Sequence, residues 1–243
     1  PADAHTASIA APELTPETKR ALMKRIRATV GSASKISLIV GNPVRDLLRL
    51  VRTRNADLVV MATHGRAGLK RVLLGSVTEA VARQSPAPVL AVRGEYAEIR
   101  GVLCPVNFTD YSYYGFTYAA ALAAALGAPL TALHVHVDPV WNGDPQRKLE
   151  RLMERVPAAL RGRCRSLVET GETDAARGIA KAAAKNDLIV LVAHEKAPVK
   201  EMILGTTAER VLRQSRSPVL IVPAPTRPLP TQKDLPAPCC AAV

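Results

Sequence analysis

The chain has 243 residues, a formal charge of +12, 48% hydrophobic residues and only 3% aromatic residues. This length allows two domains with separate cores, and the sequence has neither a signal peptide nor an apolar stretch of membrane-spanning length, so we expect a cytoplasmic protein. Its four cysteines lack the spacing of zinc ligands, so no metal is expected. Its arginines fall largely on solvated helix faces, so nucleic acid is not expected as a partner.

The first half of the chain predicts alternating strands and helices. Residues 36–40 form a short apolar run expected as a strand. Asn42 and Pro43 then predict a helix start, because asparagine caps helices and proline suits the first helical position. Residues 58–62 are an unbroken apolar run, typical of a parallel strand covered on both faces. A loop, a helix over residues 76–84 and a strand over residues 88–92 follow.

The same pattern occurs twice. Residues 57–92 and 187–222 align without a gap at a spacing of 130 positions, and 17 of the 36 positions are identical. One folding unit has therefore been duplicated. Upstream of the second copy, the chain predicts a strand over residues 102–109, a helix over 112–126 and a strand over 130–137. Strands that alternate with helices predict parallel α/β sheets with right-handed crossovers.

We expect three regions. Repeat 1 covers residues 1–95 and repeat 2 covers residues 96–224. Residues 225–243, rich in proline, are expected to form a disordered tail.

The loop after residues 58–62 predicts a phosphate site. Ala62 ends the strand and Gly65 follows it, and after nine intervening residues Gly75 and Ser76 begin the next helix. A glycine lets the backbone approach phosphate oxygens closely, and the N–H groups and positive dipole of a helix start attract them.

Several segments of repeat 1 resemble the universal stress protein family: Thr63-His64-Gly65-Arg66, Leu69-Lys70-Arg71, Leu74-Gly75-Ser76-Val77 and Pro88-Val89. The resemblance covers about residues 15–93 and 98–223. It implies two flavodoxin-like or Rossmann-like parallel sheets with strand order 3-2-1-4-5 and dimers paired through strand 5. It also implies bound ATP or another adenine nucleotide, which could bring Mg²⁺ with it. The implied nucleotide-binding residues of repeat 1 are Ala62, His64, Gly65, Arg66, Gly75, Ser76 and Val77. Ala62 stands where the family has its first glycine.

Repeat 2 departs further from the family pattern. Val192 and Glu195 replace the first two glycines, and a carboxylate there would repel phosphate. We expect a degenerate site, and its remaining counterparts are Pro105, Val106, Asn107, Gly205 and Thr206. Asn107 stands where the family usually has aspartate.

Repeat 1 keeps the loop but lacks the first part of the unit, because the sequence contains no counterpart of strands 1 and 2 upstream of residues 36–40. A strand at 36–40 would then leave backbone groups unpaired. Either this numbering omits an upstream segment, or a second copy of the chain supplies the missing strands.

No nucleophile with a neighbouring base, no Walker lysine and no metal–carboxylate cluster is evident, so we expect no catalytic residues and at most slow ATP hydrolysis. The sequence predicts a stress-response regulatory protein that binds an adenine nucleotide through repeat 1. The alternative is a scaffold of the same fold that binds no nucleotide. Because the last strand of each repeat leaves an open edge, we expect residues 88–92 and 218–222 to pair, either within the chain as an internal pseudo-dimer or between chains in a homodimer.

Overall fold

The computed structural model describes residues 15–30, 36–62, 75–92, 99–137, 143–183, 188–196 and 201–224. Residues 1–49 form one compact unit and residues 50–243 form a second. The predicted site residues His64, Gly65 and Arg66 and the predicted tail at 225–243 lie outside the described residues.

The first unit contains helix α1 (Pro16–Val30) and the beginning of helix α2 (Pro43–Thr53). As predicted, Asn42 caps α2, since its Oδ1 accepts a hydrogen bond of 2.9 Å from the backbone N–H of Arg45. The predicted strand at 36–40 is wrong. These residues have no regular structure, and Ile39 and Val40 are 44% and 56% exposed. An apolar run becomes a strand only where neighbouring strands bind its backbone.

The second unit is built on one mostly parallel sheet. Its strands are β1 (Val59–Ala62), β2 (Val89–Val92), β3 (Val102–Pro105), β4 (Leu130–Val135), β5 (Cys164–Glu169), β6 (Leu188–Lys196), β7 (Glu201–Ile203) and β8 (Val219–Pro223). Its further helices are α3 (Ser76–Gln84), α4 (Asp110–Leu126), α5 (Pro145–Met153), α6 (Ala158–Arg161), α7 (Ala175–Ala183) and α8 (Thr206–Gln214). The strand order is β1-β2-β8-β6-β3-β4-β5, and β7 pairs with β6 off this path.

Repeat 2 confirms the predicted sheet order. Its five strands β3, β4, β5, β6 and β8 lie in the spatial order β5-β4-β3-β6-β8, which is 3-2-1-4-5 when they are numbered along the repeat. All four contacts between these strands are parallel. The central strands are buried because helices cover both faces of such a sheet, which explains why they are unbroken apolar runs. Leu103, Leu130 and Ile189 are fully buried.

The two repeats meet through their last strands, as predicted. Strands β2 and β8 pair in antiparallel fashion, with Leu90 opposite Leu220. These two leucines are separated by the repeat spacing of 130 positions, so each is the other's counterpart. In the flanking pairs, Val89 lies opposite Ile221 and Ala91 lies opposite Val219. Val219 is the counterpart of Val89 and Ile221 is the counterpart of Ala91, so the same symmetry relates these two pairs. A self-complementary contact of this kind is what a twofold dimer axis produces, and here it lies within one chain.

Four charged side chains repeat this symmetry on the adjacent helices. Glu79 and Arg83 of α3 are the counterparts of Glu209 and Arg213 of α8. Arg213 lies 2.7 Å from both Glu79 and Glu209, and Arg83 lies 3.1 Å from Glu79 and 3.5 Å from Glu209. The hydrogen bond from Arg213 lowers the pKa of the Glu79 carboxyl from its ordinary value, and the charges of Arg213 and Arg83 contribute. The two repeats are therefore joined by ion pairs as well as by strand pairing.

Candidate functional site

Repeat 2 contains a cleft of about 580 Å³ at the carboxyl ends of its parallel strands. The cleft opens between β3 and β6, where the connections turn to opposite sides of the sheet, which is the position that ligands occupy in open α/β sheets. Its volume lies within the range of small-molecule sites, roughly 300 to 1,000 Å³. The lining residues are Cys104, Pro105, Val106, Asn107, Thr109, Tyr111, Ser112, Gly115, Leu133, His134, Val135, Ala175, Ile179, Val190, Leu191, Val192, Gly205, Thr206, Thr207 and Ala208.

Two residues set the width of the cleft beside α4. Val192 is the counterpart of Ala62 and lies in the middle of β6, where its side chain faces Gly115 of α4. A Cβ atom added at Gly115 would collide with Cγ2 of Val192. The glycine thus gives the larger valine room, and the valine methyl groups fill space that alanine would leave open.

The turn from β3 to α4 forms the rim of the cleft. Asn107 accepts hydrogen bonds through Oδ1 from the Thr109 hydroxyl, at 2.7 Å, and from the Thr109 backbone N–H, at 3.3 Å. Thr109 in turn caps α4 by accepting from the backbone N–H of Ser112. Phe108, between them, has a φ of +62°, a left-handed conformation that costs a residue with a side chain on the order of 1 kcal/mol. Asn107 therefore fixes the shape of the rim.

His134 forms part of the inner wall. Its ring stacks on Phe108 with a centroid separation of 4.6 Å, and its Nδ1 lies 2.9 Å from the Val106 carbonyl oxygen, which can only accept, so Nδ1 carries the proton. Burial lowers the pKa of His134, although the hydrogen bond to Val106 opposes this shift. The ring is consequently neutral at neutral pH and adds no positive charge to the cleft.

The Cys104 thiol also lines the cleft but is chemically inert. Burial raises its pKa to about 12, and thiols react as thiolates. Within the described part of the chain, no group of three histidine, cysteine, aspartate or glutamate side chains is placed to hold a metal ion.

The helix starts that should receive phosphate are similar in the two repeats. Gly75 precedes α3 and Gly205 precedes α8, and neither helix has a side chain that caps its first turn. In repeat 1 the hydroxyl of Thr78 donates a hydrogen bond of 2.9 Å to the Ala62 carbonyl oxygen, which ties the end of β1 to the start of α3. Alanine replaces this threonine at position 208 in repeat 2.

In repeat 2, strand 4 forms an antiparallel pair with the segment that precedes the next helix. Strand β6 continues to Lys196 and pairs in antiparallel fashion with β7, with His194 opposite Ile203 and Glu195 opposite Met202. The sequence did not predict the pairing of β6 with β7, because this segment was interpreted only through the spacing of a glycine loop. The corresponding loop of repeat 1, residues 63–74, lies outside the described residues.

All five predicted residues of repeat 2 line the same cleft: Pro105, Val106, Asn107, Gly205 and Thr206. In repeat 1, Ala62 ends β1 and Ser76 and Val77 open α3 directly after Gly75. Sequence analysis missed Gly115, His134 and the rim residues Tyr111 and Ser112. A glycine inside a predicted helix, as at position 115, signals close packing and was the available clue. Every helix in the described part of the chain is too short or too polar to cross a membrane.

Comparison with known proteins gives a consistent family assignment. The model of the universal stress protein family matches residues 1–93 and 98–223. Universal stress protein MJ0577 of Methanocaldococcus jannaschii is 36% identical over 83 residues, which are 33% of this chain and 51% of that protein. Universal stress protein Mb2028c of Mycobacterium bovis is 24% identical over 218 residues, 82% of this chain and 73% of the relative. The chain thus spans about half the length of the first relative.

Solved structures show the same fold. A universal stress protein from Archaeoglobus fulgidus DSM 4304 superimposes with a TM-score of 0.66 and 25% identity, covering 85% of this chain and 77% of that one. A universal stress protein solved in complex with cAMP matches over 52% of this chain with a TM-score of 0.41. That likeness is too low to transfer a ligand.

Proposed function

Because the chain belongs to the universal stress protein family, we propose that it is a stress-response regulatory protein that binds an adenine nucleotide, ATP or a relative, through the glycine loop of repeat 1. The observation that carries this proposal is the spacing of Ala62, Gly65 and Gly75, with Ser76 directly after the last glycine. It places small residues at the end of a strand and at the start of a helix, where phosphate oxygens need close backbone approach.

The described ends of the loop support this proposal. Ala62 closes β1 without a bulky side chain, and the hydrogen bond from Thr78 to its carbonyl holds the strand end beside α3. The first turn of α3 has no side-chain cap that would compete with phosphate for its N–H groups. The proposed contacts are Ala62, His64, Gly65, Arg66, Gly75, Ser76 and Val77, and Mg²⁺ would accompany a bound triphosphate.

Repeat 2 offers a weaker phosphate site. Val192 stands at the position of Ala62, Glu195 replaces Gly65, and β6 extends past both of these residues and pairs with β7. A carboxylate at position 195 would repel a nearby phosphate. We therefore assign nucleotide binding to repeat 1, with slow ATP hydrolysis as the most that its groups would allow.

Two matched substitutions test which repeat binds ATP. Gly65→Glu imports into repeat 1 the carboxylate that repeat 2 already has, and it should abolish ATP binding measured by calorimetry with Mg²⁺ present. Glu195→Ala in repeat 2 should change the ATP affinity less than about twofold, since repeat 2 contributes no ATP site. Unchanged ATP affinity in the first variant would exclude repeat 1 as the site.

A specific observation favours a second candidate, a scaffold that keeps the fold but binds no nucleotide. The symmetric pairing of β2 with β8 and the four-residue ion-pair network give the two repeats a well-formed interface that needs no ligand. Nucleotide content after gentle purification and acid precipitation separates the candidates. Stoichiometric adenine nucleotide supports binding, whereas its absence together with a flat ATP titration supports the scaffold.

Three further assignments are part of the proposal. From the duplicated pattern, repeat 1 ends at residue 95, repeat 2 begins at residue 96 and the tail begins at residue 225. A cytoplasmic location suits a regulatory protein with reduced cysteines. The chain would act as an internal pseudo-dimer, because β2 and β8 already occupy each other's open edges and leave no free strand 5 for a homodimer of this kind.

A further inference from the structure

Strand β5 lies at one end of the sheet, and among the described residues its outer edge has no partner strand. All of its residues pair with β4 in one continuous register. The carbonyl oxygens of Arg163 and Glu169 accept hydrogen bonds from β4. Because the bonding direction alternates along a strand, the backbone groups of Cys164, Ser166 and Val168 point away from β4. The edge therefore offers a regular row of donors and acceptors to another strand.

The side chains of β5 carry one charge of each sign on the same face of the sheet. Leu167, which is 37% exposed, lies midway between Arg165 and Glu169. Arg165 donates to the Thr131 hydroxyl at 3.0 Å, and Glu169 accepts from Lys181 of α7 at 2.9 Å. In the part of the chain that the structure describes, no carboxylate pairs with Arg165. Charges of one sign on an edge repel an approaching strand, whereas two signs at this spacing can attract a second copy of the same strand.

These positions match when two copies of β5 meet in antiparallel orientation. Hydrogen bonds across the new edge join outward-pointing residues, so Ser166 of one chain can lie opposite Val168 of the other. This register sets Leu167 opposite its own copy on the twofold axis, and Arg165 opposite Glu169 on either side of it. Side chains approach most closely in such non-hydrogen-bonded pairs. A register shifted by two residues in either direction would instead place a charged residue opposite Leu167.

From these features we propose that the outer edge of β5 is a homodimer contact, in which two copies of this chain pair β5 with β5 and join their sheets into one. The contact is isologous, because the same strand serves on both sides of a twofold axis. It differs from dimerisation through the last strand of a repeat, since β2 and β8 already pair with each other within the chain. This inference does not rest on nucleotide binding by repeat 1, whose strand β1 lies at the opposite end of the sheet.

A matched pair of substitutions at Ser166 tests whether this edge is the contact. Sedimentation of the full-length chain should show a monomer–dimer equilibrium with a dissociation constant on the order of 10 µM, as suits a small contact. Ser166→Pro removes only the outward N–H, a position where edge strands tolerate proline, and should weaken dimerisation at least about tenfold. Ser166→Ala keeps that N–H but, like the proline variant, loses the hydrogen bond from Gln146, so it should dimerise like wild type.

Two results of this experiment would overturn the proposal. One is a wild-type chain that stays monomeric up to about 1 mM. The other is an unchanged dimer in Ser166→Pro, which would place the contact elsewhere, for instance on the edge of β1 that is also open among the described residues. Circular dichroism and thermal melts check that both variants are folded.

Two charge variants test the register, and they decide the question even if the proline variant does not fold. Arg165→Glu places two carboxylates opposite each other in its homodimer, and Glu169→Lys places two cations opposite each other. Each variant alone should dimerise at least about tenfold more weakly than wild type. An equal mixture should form a heterodimer within about threefold of the wild-type affinity, because one charge pair is native and the other has its signs exchanged. A mixture that recovers no dimer overturns the proposal.

Arg163 provides the matched control for overall charge. It is an exposed arginine just before β5, and its guanidinium donates to the Gly127 carbonyl. Arg163→Glu changes the charge of the chain as much as Arg165→Glu does, but in the proposed register residue 163 faces a position beyond the end of β5. It should change the dissociation constant less than about threefold. Equal weakening by the two variants would show that net charge rather than strand pairing governs association, which would overturn the proposal.

Discussion

The two repeats carry strand 4 in nearly the same sequence but place it in different surroundings. Val60 of β1 and Val190 of β6 are counterparts, yet Val60 is 60% exposed whereas Val190 is 1% exposed. Strand β6 lies between β3 and β8, while among the described residues β1 pairs only with β2. Similar sequences thus give unequal burial, because burial depends on the neighbouring strands that the rest of the repeat supplies.

The largest expected effect follows from this pair of valines. Val190→Asp would bury an unpaired carboxylate in the centre of the sheet, and it should lower the free energy of unfolding by more than about 4 kcal/mol. Val60→Asp should cost less than about 1 kcal/mol, since its carboxylate can stay in water. Urea denaturation of both variants measures the difference. An equally severe Val60 variant would mean that another chain covers β1 in solution, as the strand exchange considered from the sequence would require.

Substitutions of Leu90 and Leu220 test how much the pairing of β2 with β8 contributes to the stability of the fold. Leu220 is almost fully buried, whereas its partner and counterpart Leu90 is only partly buried. Leu220→Ala should cost about 3 kcal/mol of unfolding free energy, and Leu90→Ala about half of that. Chemical denaturation of the two variants compares them at one interface. Equal costs would show that the interface is symmetric in energy as well as in register.

The ion pairs should contribute less. Glu79 accepts from both Arg83 and Arg213, so Glu79→Gln should cost about 1 kcal/mol at low salt and less at high salt. Substitution of its counterpart Glu209 should lower the free energy of unfolding by less, because Arg83 lies 3.5 Å from Glu209. Urea titrations at two salt concentrations measure both effects. A larger effect for Glu209 would contradict the geometry.

The same variant gives a pH dependence with a defined sign. The pKa of Glu79 is lowered in the folded protein, so its ionised form stabilises the fold above the unfolded pKa near 4.5. That contribution is lost as the pH falls through the lowered folded pKa. The stability difference between wild type and Glu79→Gln should therefore be present at pH 7 and disappear under acid conditions. A difference that does not shrink as the pH is lowered below 4.5 would show that it does not arise from the charge.

The smallest expected effect belongs to repeat 2 alone. Burial lowers the pKa of His134, so the unfolded chain binds a proton at a higher pH than the folded chain does. Stability is therefore lost as the pH falls from about 6.5 through the lowered folded pKa. His134→Gln should show a weaker decline in stability between pH 7.5 and pH 5 than wild type, as measured by thermal melts. Identical declines would mean that the ring titrates freely.

Sequence patterns determined the duplicated unit and the parallel α/β architecture, and the resemblance to the universal stress protein family implied the strand order of repeat 2. They also predicted the antiparallel meeting of residues 88–92 with 218–222. The duplication, the architecture and this pairing depend on local apolar periodicity and on a strand edge that must be paired, both of which can be identified in a single chain. The resemblance also pointed to Pro105, Val106, Asn107, Gly205 and Thr206, which line one cleft because parallel strands bring their carboxyl ends to one edge; a binding role for them stays a prediction.

Tertiary structure decided the rest. Residues 36–40 are as apolar as a strand requires but form none, since a strand exists only where neighbouring backbone completes its hydrogen bonds. The fit of Val192 against Gly115 and the stacking of His134 on Phe108 depend on side chains far apart in sequence. Their contacts arise only when the sheet has formed, so composition and spacing could predict where the cleft lies but not which ligand it accepts.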